Sequence, residues 1–134
     1  MFAELPLYVQ IQVIENGISR IKRDFSIVIK NKKILGILLY GSHAQGTATY
    51  RSDVDICVVA PDEDVDPLLS FILKNVNANK KKYDTRMFAE LPLYVQIQVI
   101  ENGIFVYSHN KFELYEYFYY YRKLWADQKY RLSI

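Results

Sequence analysis

Two compact apolar runs limit the folds open to this chain more than any other feature of the sequence. They span Ile34–Tyr40 and Val54–Ala60, and continuous apolar runs of this length are typical of strands buried on both faces of a sheet. The segment that joins them is polar and contains small residues, among them Gly41, Ser42 and Gly46. The two runs therefore predict a pair of buried strands connected by a polar loop.

Helix and strand patterns alternate along the rest of the chain. Acidic residues and Pro67 predict the start of a helix that continues to about Asn77. Later patterns predict a strand at Tyr83–Phe88, a helix at Pro92–Glu101, a strand at Ile104–Tyr107 and a helix from Lys111 to about Tyr130. With a helix before the first strand, the order is α-β-β-α-β-α-β-α. It indicates an α/β or α+β protein, a small mixed sheet of about four strands with helices packed on it.

The composition is that of one globular domain. Of the 134 residues, 51% are hydrophobic, which is enough for a buried core and excludes a disordered chain. The formal net charge of +2 is too small to indicate nucleic acid or an anionic membrane as a partner. Cys57 is the single cysteine, so an internal disulfide is excluded, and no apolar stretch approaches the roughly 20 residues of a membrane span. We therefore expect a soluble, cytoplasmic protein.

An exact internal duplication interrupts this simple organisation. Residues 1–18 and residues 87–104 are the same eighteen letters. Structural repeats diverge and usually recur at least three times with periods of roughly 20–50 residues, so a repeat fold is excluded. A recent duplication, an artificial addition and a sequence error all remain open as origins. We predict one domain over residues 1–134, in which residues 1–18 are the segment that is not native.

Both copies of the duplicated segment predict a helix. Leu7, Ile11, Ile14 and Ile18 share one helical face, as do Leu93, Ile97, Ile100 and Ile104 in the second copy. Asn102-Gly103 predicts a left-handed C-terminal cap, which is followed by a β-rich run. The residues after Gly17 favour a helix instead, so the first helix is expected to run on, with strain or a break at that glycine as the alternative.

The polar loop and the strand after it contain the residues that favour catalysis. Asp53 and Asp55 are two residues apart, so an extended chain directs both carboxylates to one face. Two such carboxylates repel each other unless a cation lies between them, and Mg²⁺ is the ion that prefers this chemistry. Gly41-Ser42 follows a strand directly, where exposed backbone N–H groups and a hydroxyl can bind phosphate. Each motif alone is more often an ordinary turn, but together they predict neighbouring anion and cation sites.

These residues resemble the minimal nucleotidyltransferases of the polymerase-β-like superfamily. The family signature is Gly-Ser, ten residues, and then Asp-x-Asp, and here Gly41-Ser42 is followed by ten residues and Asp53-Val54-Asp55. Ala44, Gly46, Thr47 and Ser52 also fit the pattern, whereas His43 stands where arginine is common. Asp84 occupies the place of the family's third carboxylate, on a later strand. The resemblance covers about residues 31–125 and implies the polymerase-β-like fold.

The resemblance also implies a mechanism and a set of site residues. Asp53, Asp55 and Asp84 are expected to be catalytic and to bind Mg²⁺, with two ions, while Gly41 and Ser42 bind the nucleotide. ATP is the expected substrate, and its AMP moves to an acceptor hydroxyl as pyrophosphate leaves. Arg51, Arg86 and Lys80–Lys82 are interpreted as surface charges, with neutralisation of phosphate as the alternative.

An aromatic C-terminal segment suggests the acceptor. Six of the twelve tyrosines follow residue 110, more aromatic surface than one helix face can bury, and tyrosine is favoured at interfaces. Small members of the family act as antitoxins that transfer AMP to a tyrosine of a helical HEPN toxin, and the resemblance implies that role here. Two alternatives remain open. The protein could be an antitoxin that acts by contact alone, or an enzyme that transfers the nucleotide to a small molecule. The second alternative usually requires an acceptor-binding domain, for which this chain has no room. A core-facing helix and association of two copies are the other interpretations of the segment.

Overall fold

The structure of this chain is a computed structural model that describes residues 4–41, 44, 53–76 and 83–132. Its strands are β1 (Gly36–Tyr40), β2 (Val54–Val59), β3 (Tyr83–Met87) and β4 (Ile104–Ser108). Its helices are α1 (Leu7–Asp24), α2 (Ser26–Asn31), α3 (Val65–Asn75), α4 (Leu93–Asn102) and α5 (Lys111–Leu132). A 3-10 turn, Phe88–Glu90, connects β3 to α4. The predicted order of elements is confirmed, with the first helix divided at Phe25.

The four strands form one mixed sheet in the order β3-β2-β1-β4. β1 is antiparallel to β2 and to β4, and β2 is parallel to β3. The end of β1 therefore lies beside the starts of β2 and β3. We call this edge, where Tyr40 of β1 pairs with Asp55 of β2 and Asp55 pairs with Asp84 of β3, the carboxylate end of the sheet.

Helices cover both faces of the sheet. Successive side chains of β1 and β2 therefore alternate between two buried clusters, one on each face. The first cluster joins side chains of α1, α2 and α3 to one face of the sheet; its most buried members are Phe25, Val28, Ile37, Ile56, Val58, Leu68 and Ile72. The second cluster joins α4 and α5 to the other face, through Leu38, Cys57, Val59, Phe88, Val99, Leu114 and Phe118. Asp55 and Tyr40 lie two residues from Cys57 and Leu38, so their side chains belong to the α4 and α5 face.

One local expectation is wrong and another is confirmed. Gly103 is not a left-handed cap, since its φ is −68°; a Cβ there would collide with the Val99 carbonyl oxygen and lie 3.1 Å from Leu38 Cδ2. Close packing, and not backbone conformation, therefore demands glycine. The first helix does run past Gly17, without a break, to Asp24.

The apolar residues of α3, and the stripe predicted for α4, are only partly buried. Leu73 of α3 is exposed, because the sheet covers a narrower stripe through Leu68 and Ile72. In α4 the buried residues are Gln96, Ile97 and Val99. Among the described residues, no helix is long and apolar enough to span a membrane.

Candidate active site

Three polar side chains from adjacent strands lie side by side at the carboxylate end. Tyr40, Asp55 and Asp84 are direct partners across three adjacent strands, which lie about 4.8 Å apart in a sheet. Parallel pairing explains the position of Asp84, because β2 and β3 start at the same end and each aspartate is the second residue of its strand. Asp55 and Asp84 are both half-buried. Two carboxylates that are distant in sequence are thus neighbours.

The turn at Gly41 directly adjoins this pair. Gly41 has a φ of +73°, a left-handed conformation that side chains rarely adopt. A Cβ at this position would also collide with the Asp55 carboxylate. Glycine is therefore required twice here, once by the conformation of the turn and once by the close approach of Asp55. The result is a backbone turn placed against a carboxylate.

Arg86 brings a positive charge to the same site. Its Nε donates to Asp84 Oδ1 at 3.2 Å, and both side chains are partly exposed, at 61% and 41%. This hydrogen bond, with the nearby Asp84 charge, raises the pKa of the Arg86 guanidinium. An exposed pair of this kind adds little to stability, so its value lies in holding a cation beside the carboxylates. The sequence predicts an ordinary surface charge at Arg86. The structure shows that this charge pairs with Asp84 in the site.

Tyr40 contributes a neutral phenol to the row. The pKa of Tyr40 is raised to about 12, chiefly by burial and then by the neighbouring Cys57, Asp55 and Asp84, while Arg86 acts in the opposite direction. Its hydroxyl therefore keeps its proton near neutral pH and can donate a hydrogen bond to an anion. Tyr40 lies outside the sequence motif. Strand pairing is the feature that could have identified it. If the two predicted strands pair antiparallel, the last residue of the first strand lies opposite the start of the second strand.

Asp53 lies at the margin of this arrangement. It is exposed and directly precedes β2, so it is close in sequence to Asp55 but outside the paired strands. Across residues 4–41, 44, 53–76 and 83–132, no three His, Cys, Asp or Glu side chains come together as a group that could hold a metal ion. The expected set of three carboxylates is therefore not assembled in the described residues, which bring together only Asp55 and Asp84.

The donor chemistry of this pair nevertheless fits Mg²⁺. Mg²⁺ usually binds one or two protein carboxylates and completes its octahedral shell with water and substrate phosphates. Asp55 and Asp84 supply the carboxylates, and the left-handed turn at Gly41 lies against Asp55. Ser42, Arg51 and Lys80–Lys82 lie outside the described residues.

Comparisons with known proteins give the family. A family model described as polymerase beta, nucleotidyltransferase, matches residues 21–112. A Methanocaldococcus jannaschii protein, named as a candidate protein adenylyltransferase, is 40% identical over 100 residues, which cover 75% of this chain and 76% of that protein. The chain belongs to the polymerase-β nucleotidyltransferase family, as one of its minimal nucleotidyltransferases. It is a nucleotidyltransferase, as the spacing of its motif predicts.

Solved structures of similar fold come from toxin–antitoxin complexes. A chain of a toxin–antitoxin complex with AMP-PNP superposes with a TM-score of 0.55 at 23% identity, covering 89% of this chain and 95% of that chain. A chain from a complex of tri-AMPylated Shewanella oneidensis HEPN toxin with MNT antitoxin gives 0.52 at 20% identity, covering 84% and 95%. At such identities the likeness establishes the fold alone, and the predicted polymerase-β-like fold is confirmed.

Proposed function

We propose that this nucleotidyltransferase transfers AMP from ATP, with Mg²⁺ bound, to a tyrosine hydroxyl of a HEPN-type toxin, and so acts as the antitoxin. The observation that carries the proposal is the row of Tyr40, Asp55 and Asp84 beside the turn at Gly41. The relative from Methanocaldococcus jannaschii, named as a candidate protein adenylyltransferase, supports a protein acceptor. The AMPylated HEPN toxin in one structural neighbour supports the class of partner. The proposal locates the protein in the cytoplasm, where ATP is available.

Each site residue has a distinct part in this reaction. Gly41 and Ser42 would bind the triphosphate. Asp55 and Asp84, which are paired across adjacent strands, would hold the metal, and Asp53, at the margin of the site, is the third proposed ligand. Bound Mg²⁺ supplies positive charge to the attacking and leaving oxygens. Asp84 accepts the proton of the acceptor hydroxyl, whose oxygen bonds to the α-phosphorus. The bond from that phosphorus to the oxygen that bridges to the β-phosphate breaks, and pyrophosphate leaves.

Arg86 and Tyr40 have supporting parts. Arg86 is held at the site by Asp84, and its planar guanidinium is suited to pair with phosphate oxygens. The neutral Tyr40 hydroxyl adds a donor without adding charge. Both residues therefore favour an anionic substrate next to two carboxylates that would otherwise repel it.

The exposed part of α5 supports a protein partner. α5 has 22 residues, about 33 Å of helix, and its buried residues are Leu114 and Phe118. Tyr115, Tyr119 and Tyr120 are exposed, and so is Tyr130 near the end of the helix. Aromatic side chains of this kind are enriched at protein interfaces, so the toxin is proposed to dock on these residues.

The experiment combines the full chain, a HEPN partner protein, Mg²⁺ and ATP labelled on the α-phosphate. Label should reach a tyrosine of the partner, identified by peptide mapping, and chelation of the metal should stop transfer. Asp55→Asn and Asp53→Asn should each lower the rate at least about 100-fold, since each weakens binding of the Mg²⁺ that would stabilise charge at the reacting phosphate. Asp66→Asn, an exposed acid in the first turn of α3, is the matched control and should leave the rate unchanged.

A contact-only antitoxin is the second candidate, and the exposed aromatic side chains of α5 are the observation that favours it. The two functions separate in cells that express the toxin. If Asp53→Asn protects those cells as well as the wild type, and no label reaches the partner, neutralisation is by contact and the catalytic proposal fails.

A further inference from the structure

A cavity of about 110 Å³ adjoins the carboxylate end on the α4 side of the sheet. It lies between the end of β1 and α4, and its lining residues are Tyr40, Gly41, Ala44, Val95, Gln98 and Asn102. Tyr40 and Gly41 belong at the same time to the candidate active site. A molecule whose phosphates rest at the Gly41 turn can therefore extend directly into this cavity.

The α4 residues of the lining form one stripe. Val95, Gln98 and Asn102 follow the i, i+3, i+7 spacing of a single helical face. Val95 packs against the second core cluster, whereas Gln98 and Asn102 are exposed. The stripe thus offers an apolar side chain and two amides to whatever enters the cavity.

These two amides have no structural task within the described residues. The contrast is Gln96, which is buried and whose Nε2 donates to the Phe88 carbonyl at 2.9 Å. Within the described residues, no hydrogen bond joins the Gln98 or Asn102 side chain to another residue. Both amides remain able to donate to and accept from a ligand.

The chemistry of the cavity suits the edge of a flat heteroaromatic ring. A cavity of roughly 150 Å³ encloses benzene in an engineered protein, so this cavity of about 110 Å³ is too small to enclose a two-ring base. Because Gln98 and Asn102 in its lining are exposed, one edge of such a base can enter while the rest stays outside. Tyr40 and Val95 offer apolar and aromatic surface for a ring face, and the amides offer hydrogen bonds for its edge. Asparagine and glutamine amides match the donor and acceptor pattern of the adenine N6 and N7 edge.

We propose that this cavity takes one edge of the nucleobase, and that Gln98 and Asn102 hydrogen-bond to that edge and select adenine. The inference rests on the proposed function, because it assigns a base site to the same nucleotide. It makes Gln98 and Asn102 specificity residues that take no part in the chemistry.

Binding of ATP and GTP by the full chain, measured by calorimetry with Mg²⁺ present, tests this assignment. The wild type should prefer ATP. Gln98→Ala and Asn102→Ala should each lower the ratio of ATP to GTP affinity by roughly 5-fold to 100-fold, which is the discrimination expected of a bidentate amide contact. Competition by inorganic tripolyphosphate should be unchanged in both variants, because the phosphate-binding residues are intact.

The first copy of the duplicated segment supplies matched controls. Gln12 and Asn16 have the same sequence neighbours as Gln98 and Asn102 but belong to α1. Gln12→Ala and Asn16→Ala should leave the ATP to GTP ratio at the wild-type value. Circular dichroism of all four variants checks that the helices are retained.

The outcomes separate this inference from the proposed function. If ATP binds and transfer proceeds, but the wild type does not discriminate or both α4 variants keep its ratio, the base site is overturned and the nucleotidyl transfer stands. If no nucleotide binds, or if Asp55→Asn transfers AMP at the wild-type rate, the proposed function itself fails.

Discussion

The two copies of the eighteen-residue segment have identical sequences and different structures. In the first copy, Asn16, Gly17 and Ile18 continue α1 as far as Asp24. In the second copy, α4 ends at Asn102, Gly103 is extended, and Ile104 opens β4. Since the letters are the same, the sequence of the segment itself cannot account for the difference.

Neighbouring structure accounts for it. Ile104 pairs with Leu39 of β1, so a strand edge is available exactly where the second copy ends. The residues after the first copy favour a helix and bury Ile21 and Phe25 against the sheet. Burial differs in the same way: Ile97 is 5% exposed, and its counterpart Ile11 is 47% exposed. The residues that follow a segment and the packing around it, and not its own letters, therefore decide where its helix stops.

Within the second copy, the largest loss of unfolding free energy is expected when the buried Phe88 is replaced. Phe88 is fully buried, and its ring lies 4.9 Å from Tyr121 and 5.3 Å from Phe118, between centroids. Phe88→Ala should lower the free energy of unfolding by about 3–5 kcal/mol, measured by urea denaturation. Tyr94→Ala, at an exposed aromatic of the same copy, is the control and should change it by less than about 0.5 kcal/mol. Equal losses in both variants would show that the second copy is not anchored through Phe88.

A smaller difference in the loss of unfolding free energy is expected between alanine variants of Ile97 and Ile11. Ile97→Ala should cost about 2–5 kcal/mol, because it leaves a cavity in the interior, and Ile11→Ala should cost less than about 1 kcal/mol at a half-exposed site. The midpoint and slope of urea denaturation measure both. A larger loss for Ile11 than for Ile97 would reverse our description of which copy belongs to the core.

The smallest effects are expected at the two glycines, and they should have opposite signs. Gly103→Ala should destabilise the protein by about 1–3 kcal/mol, because the new Cβ meets the Val99 carbonyl and Leu38. Gly17→Ala should stabilise it by about 0.5–1 kcal/mol, since no atom lies within 4 Å of the new Cβ and alanine favours a helix interior. Thermal unfolding of the two variants compares them directly. A stabilising Gly103→Ala would contradict the close packing at the start of β4.

Much of the fold was predictable from patterns in the sequence. Continuous apolar runs marked β1 and β2, and the acids around Pro67 marked the start of α3, because burial and capping act on residues that are close in sequence. The spacing of Gly41 and Asp53-Val54-Asp55 was sufficient for the family. The exposed Leu73 and the buried Gln96 were not predictable, since the width of a buried stripe depends on what packs over it.

The candidate site was also predictable only in part. Gly41, Asp55 and Asp84 were identified from the sequence, and the structure brings them to one end of the sheet. The roles of these residues, and those of Asp53 and Ser42, remain predictions. Tyr40, the ion pair of Arg86 with Asp84, and the cavity beside α4 emerge only from strand pairing and helix packing.

The sequence by itself determined the class of this protein, because a motif of fixed spacing between two apolar runs is a local property of the chain. It determined the strands for the same reason. The residues that follow each copy of the duplicated segment predict where its helix ends. Only the tertiary structure decided which copy is buried in the core, and which side chains join the two carboxylates. Those outcomes depend on partners far apart in the chain, such as Ile104 with Leu39 and Asp55 with Asp84, and identical local sequences cannot encode different partners.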